Sequence, residues 1–436
     1  MFAGNMAGLA NADPARFVRL AMRFPRNCAS IYPLSILNSL SNSEPRPEAD
    51  DPDLIKQIEA LIDRFEHLLF ERDFAWAICW LVRRRHDAEW SQKTLSRIAQ
   101  YAMSHEDPSP AIEVGRTGFG INDVAINCVR GAAAGAISSL LFHDAQYLQL
   151  LRPAVESLVN DPHPAVRTAA IGLALPLFNI NRDASVETLT QACLHPDDRV
   201  LSSHELVQFL GFTILEYEAS LRPLVLRMAS STIPQVGQTG ARWAAIAWSH
   251  RGLFEDVVAS CKSGSEWQRL GVAEAVRTAI QKGHDDESLV NLLKNLFNDD
   301  SEKGRHAASG VFTDPIVFER ACAPSLAAAF ASSVATGNSL HNFLLGVEKM
   351  TGSLRPYANT LCGLAKHFMA PDVKGEFSPQ YPGPYGFGEY SKILLRLYEQ
   401  SDRERAVRRE CLDAWDALLK RGAGLGTLHV LDHEIG

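Results

Sequence analysis

No apolar stretch of the chain approaches the roughly 18 residues that a membrane-crossing helix needs, so no span is expected. The first residues, MFAGNMAGLANADPARF, lack both a basic n-region and a continuous apolar h-region, which argues against a secretory signal. Basic residues are not in excess: 43 Lys+Arg against 51 Asp+Glu leave a net charge of −8. A dedicated binder of phosphate backbones normally shows the opposite balance, so nucleic acid is an unfavoured partner. The eight cysteines, Cys28, Cys79, Cys128, Cys193, Cys261, Cys322, Cys362 and Cys411, include no CxxC pair, and no Cys/His cluster has zinc-ligand spacing. Most lie in apolar stretches such as AWAICWLV and TLCGLA, as buried reduced thiols do, and a reducing cytoplasm is the expected compartment.

Catalytic signatures are also missing. Gly115, Gly118 and Gly120 in GRTGFG mimic half of a phosphate loop, but neither the Lys-Ser/Thr nor a preceding strand is there, and a mobile connecting loop accounts for them better. His204-Glu205 is followed by LVQ rather than completing HExxH, and no GxSxG elbow occurs. The fourteen histidines are scattered, and single ones such as His143, His195 and His306 read as loop or turn residues. The pairs Asp197-Asp198 and Asp299-Asp300 read as solvated caps in turns. The chain is therefore expected to be non-enzymatic, without catalytic residues, cofactor or metal.

What the sequence does contain is helix. Hydrophobic residues make up 46% and charged residues 22%, a globular balance. Asp-Pro occurs at 13–14, 51–52, 107–108, 161–162 and 314–315, and the pair suits a helix start, with Asp as N-cap and Pro at the first helical position. Leu54, Ile55, Ile58, Leu61, Ile62, Phe65, Leu68 and Leu69 form an apolar stripe of helical period. Alternating strands and Asn-Gly hairpin turns are absent.

The helices repeat. In YLQLLRPAVESLVNDPHPAVRTAAIGLALPLF (147–178) the spacing predicts a helix A over 147–159, a turn with Asp161-Pro162 and Pro164, and a helix B over 165–178. An Arg near the start of helix B, followed by small and aliphatic residues, recurs at Arg130, Arg167, Arg242, Arg269 and Arg305, with gaps of 37, 75, 27 and 36 and a degenerate copy at Arg199. Leu-Arg-Pro recurs in helix A at 151–153, 221–223 and 354–356. The internal Pro should bend that helix. A hairpin cannot bury its own apolar face, so hairpins of this period stack and share a core. The expected fold class is all-α, a right-handed α-solenoid.

The turn and helix NDPHPAVRTAAIGLA, with Asp161, Val166 and Arg167, resembles a HEAT repeat, most clearly over 125–178 and by spacing alone over 199–330. The resemblance implies a HEAT-like solenoid architecture, and a stacked array of that kind offers a long concave groove able to recognise protein without a reactive group. Segments 9–25, 127–144 and 411–422 are also similar to the C-terminal helical regions of large bacterial signalling and antiphage-defence NTPases. That similarity implies a sensor or scaffold whose catalytic domains lie elsewhere. Boundaries fall at the Pro/acidic stretch 41–53, at 104–123 and at the Pro/Gly/aromatic stretch 370–388. They divide the chain into an N-terminal helical region (1–104), a HEAT-like array (124–369), the 370–388 loop and a C-terminal helical cap (389–436).

Candidate binding residues come in three groups, each with a structural and a functional reading. Phe377, Tyr381, Tyr385 and Phe387 in the aromatic loop either pin that loop to the body or dock a protein partner. Arg130, Arg167 and Arg242 either hold the turns between repeats or form a row that binds an anion or an acidic partner. Arg83-Arg84-Arg85-His86 either complements a helix C-terminus or contacts phosphate. A protein-binding scaffold or sensor is the first expectation. A nucleic-acid-binding HEAT-like protein of the DNA-glycosylase kind is the alternative.

Overall fold

The computed structural model describes residue 10, residues 12–42, 53–109, 120–365, residue 367 and residues 384–420. Among the described residues every regular element is a helix. The chain divides into two compact units, Met1–Leu224 and Val225–Gly436, a boundary inside the stretch 124–369 read above as one array.

The first unit runs through α1 (Pro14–Ala21), α2 (Ile31–Asn42), α3 (Leu54–Arg64), α4 (Arg72–Arg84), α5 (Gln92–Ser104), α6 (Ile121–Asn127), α7 (Val129–His143), α8 (Tyr147–Val159), α9 (Pro164–Ile171), α10 (Ala174–Ile180), α11 (Arg182–Cys193) and α12 (His204–Thr213) to α13 (Glu218–Ser230), within which the division falls. The second runs through α14 (Pro234–Arg251), α15 (Glu255–Cys261), α16 (Glu266–Lys282), α17 (Glu287–Leu296), α18 (Glu302–Ser309), α19 (Ala323–Ala331), α20 (Ala335–Lys349), α21 (Ala358–Gly363), α22 (Pro384–Gln400) and α23 (Arg405–Lys420).

The periodicity lies in the helix starts. Helices α8, α11, α13, α15, α17 and α19 begin 35, 36, 37, 32 and 36 residues apart. The helices that answer them, α9, α12, α14, α16, α18 and α20, begin 40, 30, 32, 36 and 33 residues apart. Within each unit some helices pack in series on the corresponding helix that follows. In the first unit α2, α4, α7 and α9 follow one another in one layer, and α5, α8 and α11 in the other. In the second, α14, α16, α18, α20 and α22 form one layer, and α17, α19, α21 and α23 the other.

Small residues set the spacing of the first-named layers. A Cβ added at Gly271 of α16 would collide with the Gln238 carbonyl oxygen of α14, and one at Gly240 would strike the backbone of Ala229. The helices there approach backbone to backbone, and only glycine leaves the room. Helix α16 is also well delimited: Ser265 and Gln268 form a capping box at its start, and Gly283, at φ +98°, ends it in the left-handed conformation. The core of the second unit is aromatic. Phe297, Phe312, Phe330 and Phe343 are fully buried, with paired ring centroids 4.9–5.9 Å apart. Phe318 and Tyr357 extend this cluster, and the Tyr357 hydroxyl donates to the Phe318 carbonyl at 2.6 Å.

Several local expectations need correction. Helix A is found over Tyr147–Val159 as read, but helix B is broken at Gly172-Leu173 into α9 and α10. Asp13-Pro14 does start a helix, and Asp314-Pro315 starts a 3₁₀ turn. Asp161, by contrast, stands outside α9, whose N-cap is His163. Pro153 and Pro223 lie inside helices, whereas the third Leu-Arg-Pro places Pro356 in the short 3₁₀ turn Arg355–Tyr357. Helix α22 begins at Pro384, inside the stretch read as the 370–388 loop. No single described helix is long and apolar enough to cross a membrane. The sharply bent pair α6 and α7 meets the length and composition of a span only when the two are taken together.

Gly271→Ala is expected to destabilise the second unit by about 3 kcal/mol, because the new methyl forces α14 and α16 apart. Gly337→Ala, in α20 where nothing lies within 4 Å, should instead add up to about 1 kcal/mol. Denaturant unfolding of the two variants reads the contrast.

Candidate functional site

The arginines singled out by the repeat are held in turns. Asp161 closes its own turn by accepting the His163 N–H at 2.8 Å. Arg130, from the preceding repeat, sets its Nε 2.9 Å from the same carboxylate and donates from Nη1 to the His105 carbonyl at 2.7 Å. Arg167, from the following helix, donates from Nε to the Asp161 carbonyl at 2.8 Å and from Nη1 to the carbonyls of Gln191, at 2.6 Å, and Val159. The side chains of Arg130 and Asp161 are 13% and 7% exposed. Burial disfavours a charged guanidinium, and it lowers the pKa of Arg167 against the pull of Asp161. Several acceptors around each guanidinium offset that cost.

The second unit repeats the device. Arg269 donates to Asp299 at 2.7 Å and to the Gly264 carbonyl at 2.6 Å, Asp299 accepts the Ser301 N–H at 2.7 Å, and Arg305 donates to the Asp299 and Asp300 carbonyls at 2.6 and 3.0 Å. The hydrogen bond to Asp299 raises the pKa of Arg269.

Arg242 departs from the pattern. It stands in the middle of α14 rather than at its start, with Nη1 4.0 Å from Glu274, whose other oxygen accepts from Gln238 at 3.0 Å. Of the three arginines proposed as an anion-binding row, then, Arg130 and Arg167 converge on Asp161, and Arg242 belongs to the second unit with a different partner. The N–H groups of Arg130 and Arg167 face carbonyls and a carboxylate of the turns themselves, whereas Arg242 faces Glu274 of α16.

Two histidines clamp neighbouring repeats in the same manner. His105 accepts the Asp107 N–H through Nδ1 at 3.0 Å, and its Nε2 lies 3.2 Å from the Phe70 carbonyl. His195 accepts the Asp197 N–H at 3.1 Å, with Nε2 3.1 Å from the Pro162 carbonyl. Both arrangements require a neutral ring with its proton on Nε2. Burial holds the pKa of His105 below the usual histidine value, although the Phe70 carbonyl, Asp107 and Glu106 oppose this.

A different kind of surface lies on α4. Its inner face buries Phe74, Ala75, Ile78, Cys79, Leu81 and Val82. Its outer edge carries Trp76, Trp80 and Arg83, at i, i+4 and i+7. The two indoles are half-buried and stack nearly parallel, at 8° with centroids 5.5 Å apart, and the Arg83 guanidinium sits 5.1 Å above the Trp80 ring. Trp76 is anchored by its Nε1, which donates to the Ile126 carbonyl at 3.1 Å, and the Ile126 side chain is 50% exposed beside it. Gly135 of α7 leaves room for Arg83: a Cβ there would come within 3.1 Å of the guanidinium. Burial lowers the Arg83 pKa, and Glu205 partly restores it. This rail can cover a flat or apolar group and offer it a cation. It contains no nucleophile and no paired acid and base.

The sequence reading took AWAICWLV as buried core and the following arginines as a group. The arginines in fact separate: Arg83 lies on Trp80, Arg84 is exposed, and Arg85 is 2% exposed with Nε donating to the Leu40 carbonyl at 2.9 Å. The legible signal was W-x3-W-x2-R, a second stripe on the side of α4 opposite the apolar one. In the aromatic stretch, Phe377 and Tyr381 lie outside the described residues, and the backbone places Tyr385 and Phe387 in the first turn of α22. No group of three or more metal-ligating side chains occurs among the described residues. No family model matches the chain, and no curated protein is similar enough to match it.

Asp161→Ala takes the carboxylate partner from the buried Arg130 guanidinium and the acceptor from the His163 N–H, and should cost about 3–5 kcal/mol. Lys56→Ala, at an ion pair whose partners are 79% and 72% exposed, should cost less than about 1 kcal/mol. Acid is expected to loosen the His105 turn. Its neutral-ring bonds contribute fully above the unfolded-state value near 6.5 and are lost as the pH falls through the lower folded-state value. His105→Gln should therefore reduce the drop in melting temperature between pH 7 and pH 5.

Proposed function

We propose that this chain is a non-enzymatic protein-binding scaffold or sensor module, a HEAT-like α-solenoid of the kind used in bacterial signalling or antiphage-defence assemblies. Support for the architecture comes from the helix pairs with starts 30–40 residues apart and from the runs within each unit, such as α14, α16, α18 and α20, in which a helix packs on the corresponding one that follows. The observation that carries the binding role is the Trp76–Trp80–Arg83 rail, a half-buried aromatic stack that the core does not need and that ends in a guanidinium. Trp and Arg dominate the energetics of protein interfaces, because they contribute large, stiff contact area with a charged or polar tip. Arg130 and Arg167 are engaged by carbonyls and the Asp161 carboxylate of the chain, which favours a turn-holding role for them, and the net charge of −8 opposes a phosphate-backbone partner.

The test compares wild type with a Trp76→Ala/Trp80→Ala variant in capture from the native host, with circular dichroism to confirm that the helices remain. A protein partner retained by wild type and weakened about tenfold or more by the variant is the expected result. Retention of single-stranded nucleic acid in place of protein, falling steeply with salt and lost in the variant, would overturn the reading in favour of the nucleic-acid-binding one.

A further inference from the structure

The second unit brings two cysteines together. Cys362 lies in α21 and Cys411 in α23, 49 residues later, and their Sγ atoms are 3.8 Å apart. The two helices pack on one another, and α22 packs against both. Beside the pair, the fully buried Tyr390 of α22 donates from its hydroxyl to the Leu361 carbonyl at 2.5 Å, which fixes the backbone next to Cys362.

We infer that Cys362 and Cys411 are a redox-modification site: a peroxide converts the pair to a disulfide that staples α21 to α23. At 3.8 Å the sulfurs are in contact between packed helices, and a disulfide requires them to close by about 1.8 Å to the ~2.05 Å of an S–S bond. The two thiols are chemically unequal. Cys411 is 2% exposed, and its sulfur contact with Cys362 lowers its pKa, while the same contact and burial raise that of Cys362. The partly exposed Cys362 forms the solvent side of the pair. Elsewhere burial works against the thiolate, pushing Cys261 up to about 11 and Cys128 up to about 12.

The chemistry balances as follows. The Cys411 thiolate attacks a peroxide oxygen, so that an S–O bond forms, the O–O bond breaks and hydroxide leaves. The hydroxide takes up the proton that Cys411 gave to solvent. Cys362 then attacks the sulfenic sulfur; the S–S bond forms, the S–O bond breaks, and the departing oxygen leaves as water with the Cys362 proton. Two thiols are oxidised, one peroxide is reduced, and two waters are released. This site does not depend on the recognition role proposed above, and its test does not use the Trp rail.

The experiment treats the reduced full chain with hydrogen peroxide, blocks the remaining thiols under denaturing conditions and maps the peptides without reductant. Six of the eight thiols should remain free, with the peptides of Cys362 and Cys411 joined and dithiothreitol restoring all eight. In Cys362→Ser the resolving thiol is gone, and a sulfenic acid should be trapped on Cys411 by a dimedone probe. Should peroxide leave all eight thiols titratable, or join any other pair in preference, the inference is overturned. The wild-type map decides this even if the variant fails to fold.

Discussion

The structure depends on a charged knot in the turn between helices. At Asp161, and again at Asp299, one carboxylate and its neighbouring carbonyls receive an arginine from the preceding repeat and another from the following one. Each knot thereby joins three consecutive elements through hydrogen bonds that water cannot easily replace. The apolar faces of the helices supply most of the driving force for stacking, but they are not directional. The knots supply direction, because a hydrogen bond holds its partners at a set distance and angle. In each knot one guanidinium pairs with the buried carboxylate and the other is held by backbone carbonyls, so the buried charges do not go without partners.

The histidine clamps work alongside the knots with neutral chemistry. His105 and His195 each reach back about one repeat to a carbonyl while accepting an N–H two residues ahead. In the first unit Arg130 ties the two devices together, since it bonds both the His105 carbonyl and Asp161. The candidate recognition surface sits on the same scaffold. Helix α4 carries the Trp rail on one side, and at its start Arg72 reaches the Asn127 carbonyl at 2.8 Å and lies 3.5 Å from Asp107.

Much of this was legible in the sequence, for identifiable reasons. The helical class followed from apolar period and the lack of strand signals. Arg130, Arg167, Arg269 and Arg305 were legible as a recurring position before small residues, which left open a turn-holding role and an anion-binding row. Arg242 shared the local pattern of an Arg before small residues, yet its helix starts at Pro234, so it falls mid-helix with no turn aspartate to meet. That position in the repeat is taken by Gly237. The break at Gly172-Leu173 was hidden because the apolar stripe continues through it into α10. The Trp rail was missed because Trp counts as apolar in a periodicity reading, although Trp76 and Trp80 fall on the polar side of α4. The convergence of Cys362 and Cys411 had no sequence signal, since it depends on α21 and α23 meeting in space.

The glycine contacts have a consequence for descent. Where α14 meets α16, and where α14 meets the end of α13, main chain touches main chain, so the side chains that could record ancestry have no part in setting the distance. A substitution at such a glycine is felt by the main chain itself, which has no rotamer to give way, whereas an apolar position elsewhere on the same faces can exchange one side chain of similar volume for another. Two chains could keep this architecture for a very long time while sharing almost no residues outside those glycines.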